Sequence, residues 1–373
     1  MAEITERDSI ATLEELTAAA RRSNTVPYWT SRSDWHTNDG ADIPHVWRWA
    51  ELRPRLGAAA RLLPVEDAER RALLFCNPGY GGKPFATSSL LGAYQLTRPG
   101  EHCPVHRHMP SASRFLLEGE GGWTNVEGEK CMLSRGDVVV TPPQTWHDHG
   151  NDGKEDIIWM DMLDLPLVMR FKCNFFDTDY FADGAGTGEQ SPCKSSWQSE
   201  KVAPGYSPMI YGTGGVMPRF VTHDRGAGSP QFLYRWCDTK TRLHALRKLK
   251  GSPYDGIIVE YINPVTGASA ITTLGFHMQL LRPAEICLDH RSTASAVYCV
   301  LEGSGYTEIN GERLSWSEND VIAVPAWTWH AHVNTSTTAD AVLYSVTEAP
   351  ALRKLGLFRR EGRERDGSTV RLP

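Results

Sequence analysis

Short apolar runs that alternate with polar residues fill two stretches of the chain, 85–170 and 250–348. In the first stretch, runs such as RFLLEGEGGWTNVEG and GDVVVTPPQTW are interrupted by Gly, Pro and Asp. Alternation with a period of two, bounded by turn residues, is typical of β-strands rather than helices. Between the two stretches, residues 182–230 are rich in Gly, Ser and Pro and show little periodicity. The pattern therefore predicts an all-β protein with two strand-rich regions.

The N-terminal part of the chain has a helical pattern instead. In residues 8–22, Ala and Leu fill the body of the segment, and Thr12 and Glu15 stand at the spacing of a capping box. Residues 45–61 predict a second helix, whose first part Pro54 should bend or end.

The two strand-rich regions resemble each other in sequence. Residues 116–151 align with residues 300–334 with a one-residue gap, and they share turn glycines, a hairpin turn, a proline and a Trp-His-x-His ending. Internal repetition of this kind indicates a duplicated small β-barrel. The predicted division is an N-terminal helical arm and lead-in (1–84), a first barrel (85–170), a connection (171–249), a second barrel (250–348) and a tail (349–373).

Composition and charge argue against several classes of function. The chain has 373 residues and a formal net charge of -6, which argues against wholesale binding to nucleic acid or to an anionic membrane. No apolar run approaches the roughly 20 residues of a membrane helix, and the N-terminus lacks a signal-peptide core. The eight cysteines form no Cys-x-x-Cys pair, so neither a disulfide framework nor a zinc ribbon is expected. We therefore expect a cytoplasmic protein without nucleic-acid or membrane partners.

Candidate chemistry begins with a pair of histidines. His106 and His108 are separated by one residue, so on a strand they share one face, about 7 Å apart along the backbone. His147 follows about 40 residues later, where the hairpin pattern returns a strand beside the first, and His102 and His149 are further candidates. One histidine alone would be explained as a buried, hydrogen-bonded core residue. A pair on one face with a third histidine inside a barrel predicts a metal site.

The spacing around these histidines resembles the two cupin motifs. GEHCPVHRH (100–108) is similar to the first motif, and GDVVVTPPQTWHDHGN (136–151) is similar to the second, with Gln144 where glycine is usual. A glutamate usually follows the first pair, but Ala112 and Ser113 stand at its two possible positions. The resemblance implies two tandem double-stranded β-helix barrels, the first with a metal held by three neutral histidines. Such a site keeps the full charge of the ion, unlike a 2-His-1-carboxylate site, and suits a substrate that chelates as an anion.

Longer segments resemble gentisate 1,2-dioxygenases and the related salicylate and 1-hydroxy-2-naphthoate dioxygenases. The segments are PYWT (27–30), PHVWRW (44–49), AERRALLFCNPGYGG (68–82), TPPQTWHDHGND (141–152) and IIWMDMLDLPL (157–167). The resemblance implies an enzyme that cleaves gentisate between its carboxyl-bearing and hydroxyl-bearing carbons to give maleylpyruvate. It also implies a homotetramer whose substrates are a small aromatic hydroxy acid and O2. One Fe(II) per subunit would be held by His106, His108 and His147.

Two arginines are candidates for substrate binding. Arg114 follows the histidine pair closely and could present its planar guanidinium to the substrate carboxylate. The resemblance assigns Arg70 to substrate binding as well. The ordinary alternatives are a surface ion pair for Arg114 and a solvated helix or strand end for Arg70.

Three further residues complete the predicted site. His149 shares a face with His147 and would act on the substrate or O2 as an acid or base, so His149 and Arg114 are the catalytic candidates. Asp161 would orient one of the histidines, and Gln95 matches a pocket position of the family. The ordinary alternatives are a turn acid for Asp161 and a satisfied core amide for Gln95.

Two positions depart from the salicylate dioxygenase. Leu91 stands where that enzyme has a tryptophan, and Glu66 where it has a second carboxylate-binding arginine. The missing arginine favours gentisate, whereas a leucine in place of an aromatic residue could admit a bulkier or differently substituted ring. The same cleavage of salicylate, a substituted salicylate or 1-hydroxy-2-naphthoate therefore stays open. A cupin isomerase or lyase with another metal and a non-catalytic bicupin are the remaining classes.

The second repeat has lost part of the predicted site. It keeps His290 and His330 but has Ser292 in place of the second histidine and Val297 in place of the arginine. We expect this barrel to be structural and free of metal, and the alternative is a weaker second site at His290 and His330.

Overall fold

The computed structural model describes residues 11–23, 25–27, 30, 42–64, 70–178, 180, 200–223, 226 and 228–373. The chain separates into two compact units, Met1–Ala41 and Asp42–Pro373. Among the described residues, no helix is both long and apolar enough to cross a membrane. Strands dominate the larger unit, as the alternating sequence pattern predicts.

The described part of the smaller unit contains the helix α1 (Leu13–Arg22). A capping box closes its first turn: the Glu15 amide donates to the Thr12 hydroxyl at 3.2 Å, and the Thr12 amide donates to the Glu15 carboxylate at 3.0 Å. The box satisfies amides that have no intrahelical partner. The predicted helix is confirmed from its capping residue onward, while its first residues, 8–10, lie outside the described residues.

A strand and a helix follow, in a segment where a single helix is predicted. β1 (His45–Trp47) is extended because it pairs with a strand of the second barrel, so the helical prediction is wrong there. α2 (Trp49–Leu62) then continues through Pro54. Pro54 removes one backbone donor, but burial of Leu56 and Ala60 in a large hydrophobic core stabilises the helix.

The first barrel consists of two antiparallel sheets. Its strands are β2 (Arg71–Leu74), β3 (Leu91–Thr97), β4 (His102–His108), β5 (Ala112–Glu118), β6 (Gly122–Val126), β7 (Glu129–Met132), β8 (Val138–Thr141), β9 (His147–Asn151), β10 (Ile157–Leu163), β11 (Phe176–Asp177) and β12 (Leu233–Tyr234). The six-stranded sheet has the order β12-β8-β5-β10-β3-β2, and the five-stranded sheet has the order β11-β4-β9-β6-β7.

The second barrel repeats this arrangement. Its strands are β13 (Ile257–Glu260), β14 (Gly275–Leu281), β15 (His290–Ser292), β16 (Ala296–Glu302), β17 (Gly305–Ile309), β18 (Glu312–Trp316), β19 (Val321–Val324), β20 (His330–Asn334), β21 (Ala341–Thr347), β22 (Arg360–Arg363) and β23 (Thr369–Leu372). One sheet has the order β1-β19-β16-β21-β14-β13, and the other has the order β18-β17-β20-β15-β22-β23. Equivalent strands occupy equivalent places, which confirms the prediction of two tandem barrels.

Short helices follow the barrels and lie in the connection between them. They are α3 (Leu165–Arg170), α4 (Tyr206–Tyr211), α5 (Trp236–Leu246) and α6 (Ala349–Lys354). α3 and α6 come directly after the last strand of each repeat, β10 and β21, so the repetition extends beyond the barrels themselves.

The hydrophobic core lies between the barrels as well as inside them. The largest buried cluster joins residues of the sheet that contains β5 in the first barrel and of the sheet that contains β21 in the second, and the rings of Phe115 and Tyr344 stack across it with centroids 4.3 Å apart. Leu116 and Trp159 belong to a separate cluster inside the first barrel. Successive residues of a strand point to opposite faces, so Phe115 faces the second barrel and Arg114 and Leu116 face the first barrel's interior. This alternation determines which side chains can form a site there.

Candidate functional site

Two strands bring the predicted histidines together inside the first barrel. β4 carries His106 and His108, β9 carries His147, and the register pairs His106 with His147. The ring centroids of His106 and His147 lie 4.3 Å apart, and those of His108 and His147 lie 4.8 Å apart. All three residues are buried. Histidines separated by about 40 residues in sequence thus form one cluster.

The turn before β9 depends on Gln144. Its φ of 66° lies in the left-handed region, although the related motif has glycine there, and Trp327 has a φ of 58° at the equivalent turn of the second barrel. A left-handed residue other than glycine costs about 1 kcal/mol. The backbone N–H of Gln144 offsets part of this cost by donating to the backbone carbonyl of His108 at 2.9 Å. The turn therefore ties the start of β9 to the end of β4, beside the histidines.

The three predicted ligands share one orientation, in which Nδ1 donates to a nearby backbone carbonyl. The distances are 2.8 Å from His106 to Pro104, 2.7 Å from His108 to Pro110 and 2.9 Å from His147 to Thr145. A carbonyl only accepts, so Nδ1 carries the proton and Nε2 keeps its lone pair. Carbonyl partners of this kind orient metal-binding histidines. His147 Nε2 is also buried without a hydrogen-bond partner among the described residues, so the donor set fits a metal ion.

His149 joins the same cluster from two residues further along β9. Its ligand atom and those of His106 and His147 all lie within 4.8 Å of one another, the one such trio in the described part of the chain. Its Nε2 accepts from the Arg114 guanidinium at 2.8 Å, as His106 Nε2 accepts from Arg70 at 2.7 Å, but no described residue gives its Nδ1 the carbonyl partner of the other three histidines. Its Nδ1 is buried with no partner among the residues that the structure describes. Proximity therefore favours His149 as a ligand, whereas orientation favours His108.

Burial keeps all four histidines neutral. It lowers the pKa of His108 to about 4 and the pKa values of His106, His147 and His149 well below their ordinary range, and neighbouring positive groups add to the effect. A neutral imidazole offers a lone pair, which metal binding requires. The cluster is therefore ready to bind a metal at neutral pH without first losing protons.

Two arginines add positive charge to the cluster. Arg70 Nη2 lies 2.7 Å from His106 Nε2, and the buried Arg114 lies with its Nε 3.1 Å from the Asp161 carboxylate. Asp161 is predicted to orient a histidine, but the structure places its carboxylate against Arg114, its partner across β5 and β10. Burial raises the pKa of Asp161, and Arg114 opposes that change. Arg70 and Arg114 thus bring two guanidinium groups to the cluster, and guanidinium groups can bind an anionic ligand.

The register places the remaining pocket residues on the interior face. Gln95 pairs with Trp159, whose ring belongs to the first barrel's inner core. Leu91 lies four residues before Gln95 on β3, so alternation gives it the same face. Cys103, which the sequence did not single out, borders this face because the Gln95 amide donates to its Sγ at 3.5 Å. Glu66 lies outside the described residues.

His102 lies outside the cluster although it is on the same strand. The pairing of β4 with β9 shifts register between Cys103 and His106, which changes the face on which the earlier residues lie. His102 Nε2 lies 2.9 Å from the Asp148 carboxylate, and its ring stacks on Trp123. The irregularity explains why Cys103, rather than His102, borders the pocket.

An aromatic residue with no signal in the sequence covers one side of the cluster. β11 pairs with β4 so that Phe176 lies opposite His108. The Phe176 ring stacks on His106, with centroids 5.2 Å apart and planes inclined by 17°, and the residue is 53% exposed. An ion pair of 2.8 Å between Asp177 and Arg107 holds this edge strand in place. Phe176 thus lies between the histidines and solvent.

Comparison with known proteins agrees with the fold and identifies the family. The family model described as Cupin domain matches residues 93–163 and 277–347. The 5-aminosalicylate 1,2-dioxygenase of Comamonas sp is 35% identical over 95% of this chain and 91% of its own length. The gentisate 1,2-dioxygenase of Ralstonia sp is also 35% identical, with 92% of each chain covered. The chain belongs to the gentisate 1,2-dioxygenase family.

The structural comparison extends over nearly the whole chain. A mutant of salicylate 1,2-dioxygenase from Pseudoaminobacter salicylatoxidans, solved in complex with gentisate, has a TM-score of 0.83 and 26% identity, with 98% of both chains covered. This family member is therefore an aromatic ring-cleaving dioxygenase with two cupin barrels. Its buried histidine cluster in the first barrel fits the metal site that such an enzyme needs.

Proposed function

We propose that this dioxygenase uses Fe(II) to cleave gentisate between its carboxyl-bearing and hydroxyl-bearing carbons, which gives maleylpyruvate. The observation that carries the proposal is the set of buried, identically oriented histidines with two arginines beside it. A relative named for gentisate and a similar structure in complex with gentisate support this substrate.

The proposed ligands of one iron ion per chain are His106, His108 and His147. Support for this set comes from its shared orientation, with Nδ1 on a carbonyl and Nε2 left as the donor. Imidazole donors suit Fe(II) among other first-row metals, and three neutral ligands leave the ion its full charge. When bound, Fe(II) would hold the substrate oxygens and activate O2.

The arginines are the proposed site for the substrate carboxylate. Arg70 and Arg114 each lie within hydrogen-bond distance of a histidine of the cluster, and Arg114 also pairs with Asp161. The carboxylate of a hydroxybenzoate could accept paired hydrogen bonds from a planar guanidinium beside the histidines. The two guanidinium groups would thereby fix which end of the substrate faces the histidines.

His149 is the proposed acid–base residue. Because its Nε2 accepts from Arg114, the proton of the neutral ring resides on Nδ1, which is buried and without a partner among the described residues. This N–H could donate to an oxygen of the substrate or of O2. When Arg114 turns to the substrate carboxylate, Nε2 becomes free to accept a proton from the ortho hydroxyl.

A second candidate substrate is 5-aminosalicylate or another substituted salicylate. One observation favours it: a relative that carries the 5-aminosalicylate name is 35% identical over 95% of the chain. The sequence resemblance adds an expectation, because it implies that Leu91 stands where the salicylate enzyme has a tryptophan. Gentisate and 5-aminosalicylate differ only in the polar group at one ring position, so both fit the same proposed carboxylate and metal contacts. Salicylate, which lacks this polar group, and 1-hydroxy-2-naphthoate, which has a second ring, are the smallest and the largest substrates to test.

Oxygen consumption with a panel of substrates tests the proposal. The purified protein is reconstituted with Fe(II) without air, mixed with each substrate and isotopically labelled O2, and followed by an oxygen electrode and by mass spectrometry. We expect one O2 consumed per gentisate and both labelled atoms in the product. The variant His244→Ala, at an exposed position of α5, is the control that should keep full activity.

Three outcomes would contradict parts of the proposal. No oxygen uptake with any member of the panel would refute the dioxygenase assignment to these substrates. A higher kcat/KM for 5-aminosalicylate than for gentisate would replace the preferred substrate while keeping the reaction. Restored activity with Mn(II) or Zn(II) but not Fe(II), or turnover without O2, would replace the metal or the reaction class. The proposed homotetramer is checked separately by light scattering.

A further inference from the structure

The second barrel keeps part of the histidine cluster with the same strand register and nearly the same ring spacing. The register pairs His290 with His330, as it pairs His106 with His147 in the first barrel. The ring centroids lie 4.2 Å apart in the second barrel and 4.3 Å apart in the first. His330 Nδ1 donates to the carbonyl two residues earlier at 3.0 Å, and His147 does the same at 2.9 Å. The pair is therefore spaced like two of the proposed iron ligands, and His330 also shares their orientation.

Both rings are buried at the wall of a cavity. His290 and His330 are each 5% exposed, and they line a space of about 130 Å³. His330 Nε2 and His290 Nδ1 have no hydrogen-bond partner in the part of the chain that the structure describes. A buried polar atom without a partner is destabilising, because it has lost its hydrogen bonds to water. A ligand that satisfies these nitrogens would remove this destabilising effect.

The rest of this cavity does not copy the first site. Tyr298 and Ser345 pair across β16 and β21, in the places that Arg114 and Asp161 occupy in the first barrel. The prediction that Val297 replaces Arg114 is wrong, because Val297 packs into the core between the barrels. A tyrosine thus stands in place of the arginine proposed to bind the substrate carboxylate, and the arginines of this cavity, Arg353 and Arg360, come from other elements.

A carboxylate lies beside the histidine pair instead. Asp255 is 9% exposed, and its Oδ1 lies 3.9 Å from His290 Nε2. The Ser252 hydroxyl donates to Asp255 Oδ2 at 2.8 Å, and Arg360 donates to Oδ1 at 2.6 Å. Hydrogen bonds of this kind orient carboxylates that bind metals. Asp255 precedes β13, outside the aligned repeat, so the alignment of the two repeats gives no hint of it.

We infer that the second barrel binds a divalent transition-metal ion through His290, His330 and Asp255. Two imidazoles and one carboxylate are a donor set that Fe(II), Mn(II) and Zn(II) accept. Ligand atoms about 2.1 Å from one ion lie roughly 3 Å apart, so Asp255 must move toward His290. Among the described residues, only the first barrel has three ligand atoms within 4.8 Å of one another. The second site therefore closes when the ion binds.

Arg360 makes the second site weaker than the first. Its guanidinium shares Oδ1 of Asp255 with the ion, and its positive charge opposes a second cation at close range. The site also has two imidazoles where the first has a larger cluster. We therefore expect a chelator to remove the second ion before the first.

The test counts metal ions per chain. Wild-type protein is loaded with excess Co(II), passed through a desalting column and analysed for cobalt and protein. We expect two ions per chain, one of which is lost at a lower chelator concentration. The double variant His290→Ala/His330→Ala should keep one ion. Asp255→Asn should weaken the second site about tenfold or more, and His244→Ala should leave both ions in place.

Two results would overturn the inference. One is a wild-type chain that holds a single ion, lost on substitution of His106 and His147. The other is a second ion that survives the substitution of His290 and His330. The Co(II) absorption spectrum of the His106→Ala/His147→Ala variant gives a second readout, which needs no change in the second barrel. The count does not depend on ring cleavage, so failure of the proposed substrate would leave it untouched.

Discussion

The Asp161 carboxylate lies 3.1 Å from the Nε of Arg114, and both side chains are buried inside the first barrel. A buried ion pair is weak evidence for stability, because desolvation of the two charges offsets their attraction. The same guanidinium donates to His149 Nε2 at 2.8 Å. Asp161 therefore positions Arg114 at the histidine cluster. Its contribution is to orient the guanidinium group rather than to stabilise the fold.

Replacing Arg114 with Met should lower kcat/KM for gentisate about 100-fold, because loss of one partner of a buried charged pair costs about 2–5 kcal/mol. Steady-state oxygen uptake measures the effect. The matched control is Arg53→Met, whose ion pair with Glu118 is about one-third exposed and should contribute less than about 1 kcal/mol. Similar losses in both variants would contradict the role of Arg114.

The variant Asp161→Asn should raise KM more than it lowers kcat. The amide keeps the size of the side chain but no longer holds the Arg114 guanidinium by charge, so the substrate carboxylate meets a less ordered partner. We expect a KM increase of about tenfold, consistent with a loss of roughly 1.4 kcal/mol in binding. Unchanged metal content is the control, and a loss of iron would instead assign Asp161 to the metal site.

His108 and His149 should respond differently to substitution. His108→Ala should remove most of the bound iron and with it the activity, because its oriented Nε2 would be a ligand. His149→Ala should keep the iron and lower kcat by about 10²–10⁴. Metal analysis after reconstitution separates the two. The reverse pattern, with iron lost only in His149→Ala, would show that the closest trio of nitrogens is the ligand set.

The metal-free protein should lose stability as the pH falls below 6.5. Burial lowers the pKa of His330 from 6.5 to about 4, so the unfolded chain takes up this proton first. The contribution of His330 is present above pH 6.5 and is lost as the pH falls toward 4, by about 3 kcal/mol. Urea unfolding across this range should give a flatter curve for His330→Gln than for wild type, with the exposed His244→Gln as control. An identical pH dependence in all three proteins would contradict this assignment.

Removal of the ring of Phe176 should speed metal release. The ring stacks on His106 at the solvent side of the cluster, and such aromatic contacts contribute about 0.5–1.5 kcal/mol. Phe176→Ala should therefore release iron to a chelator about tenfold faster. Phe171→Ala, at a 63% exposed position in the same segment, is the control. Equal release rates would mean that Phe176 does not shield the site.

Features that repeat in the sequence were predictable. His106 and His147 could be placed on neighbouring strands because their hairpin pattern occurs twice, and the helix after Thr12 follows from a local capping signal. Features that depend on distant pairing were not predictable. β1 has a helical sequence pattern but is extended by pairing with β19, and Phe176 reaches the site only through β11 and β4.

The register of the strands was the other feature that could not be predicted from the sequence. Asp161 contacts Arg114 because β10 pairs with β5 at that position, which no local pattern reveals. The choice of Val297 as the counterpart of Arg114 was off by one residue. On a strand, a slip of one residue moves the side chain from the interior to the opposite face. Tyr298, one position later, is the residue that faces the second cavity.

The hydrophobic core between the two barrels has a consequence for the stability of the first barrel. Phe115 packs on Tyr344 across the two barrels, and β1, which precedes both repeats, completes a sheet of the second barrel. Deletion of the second barrel would expose the apolar outer face of the catalytic barrel, and such a surface promotes aggregation. The second barrel therefore stabilises the first by covering this face, whatever side chains line its own cavity.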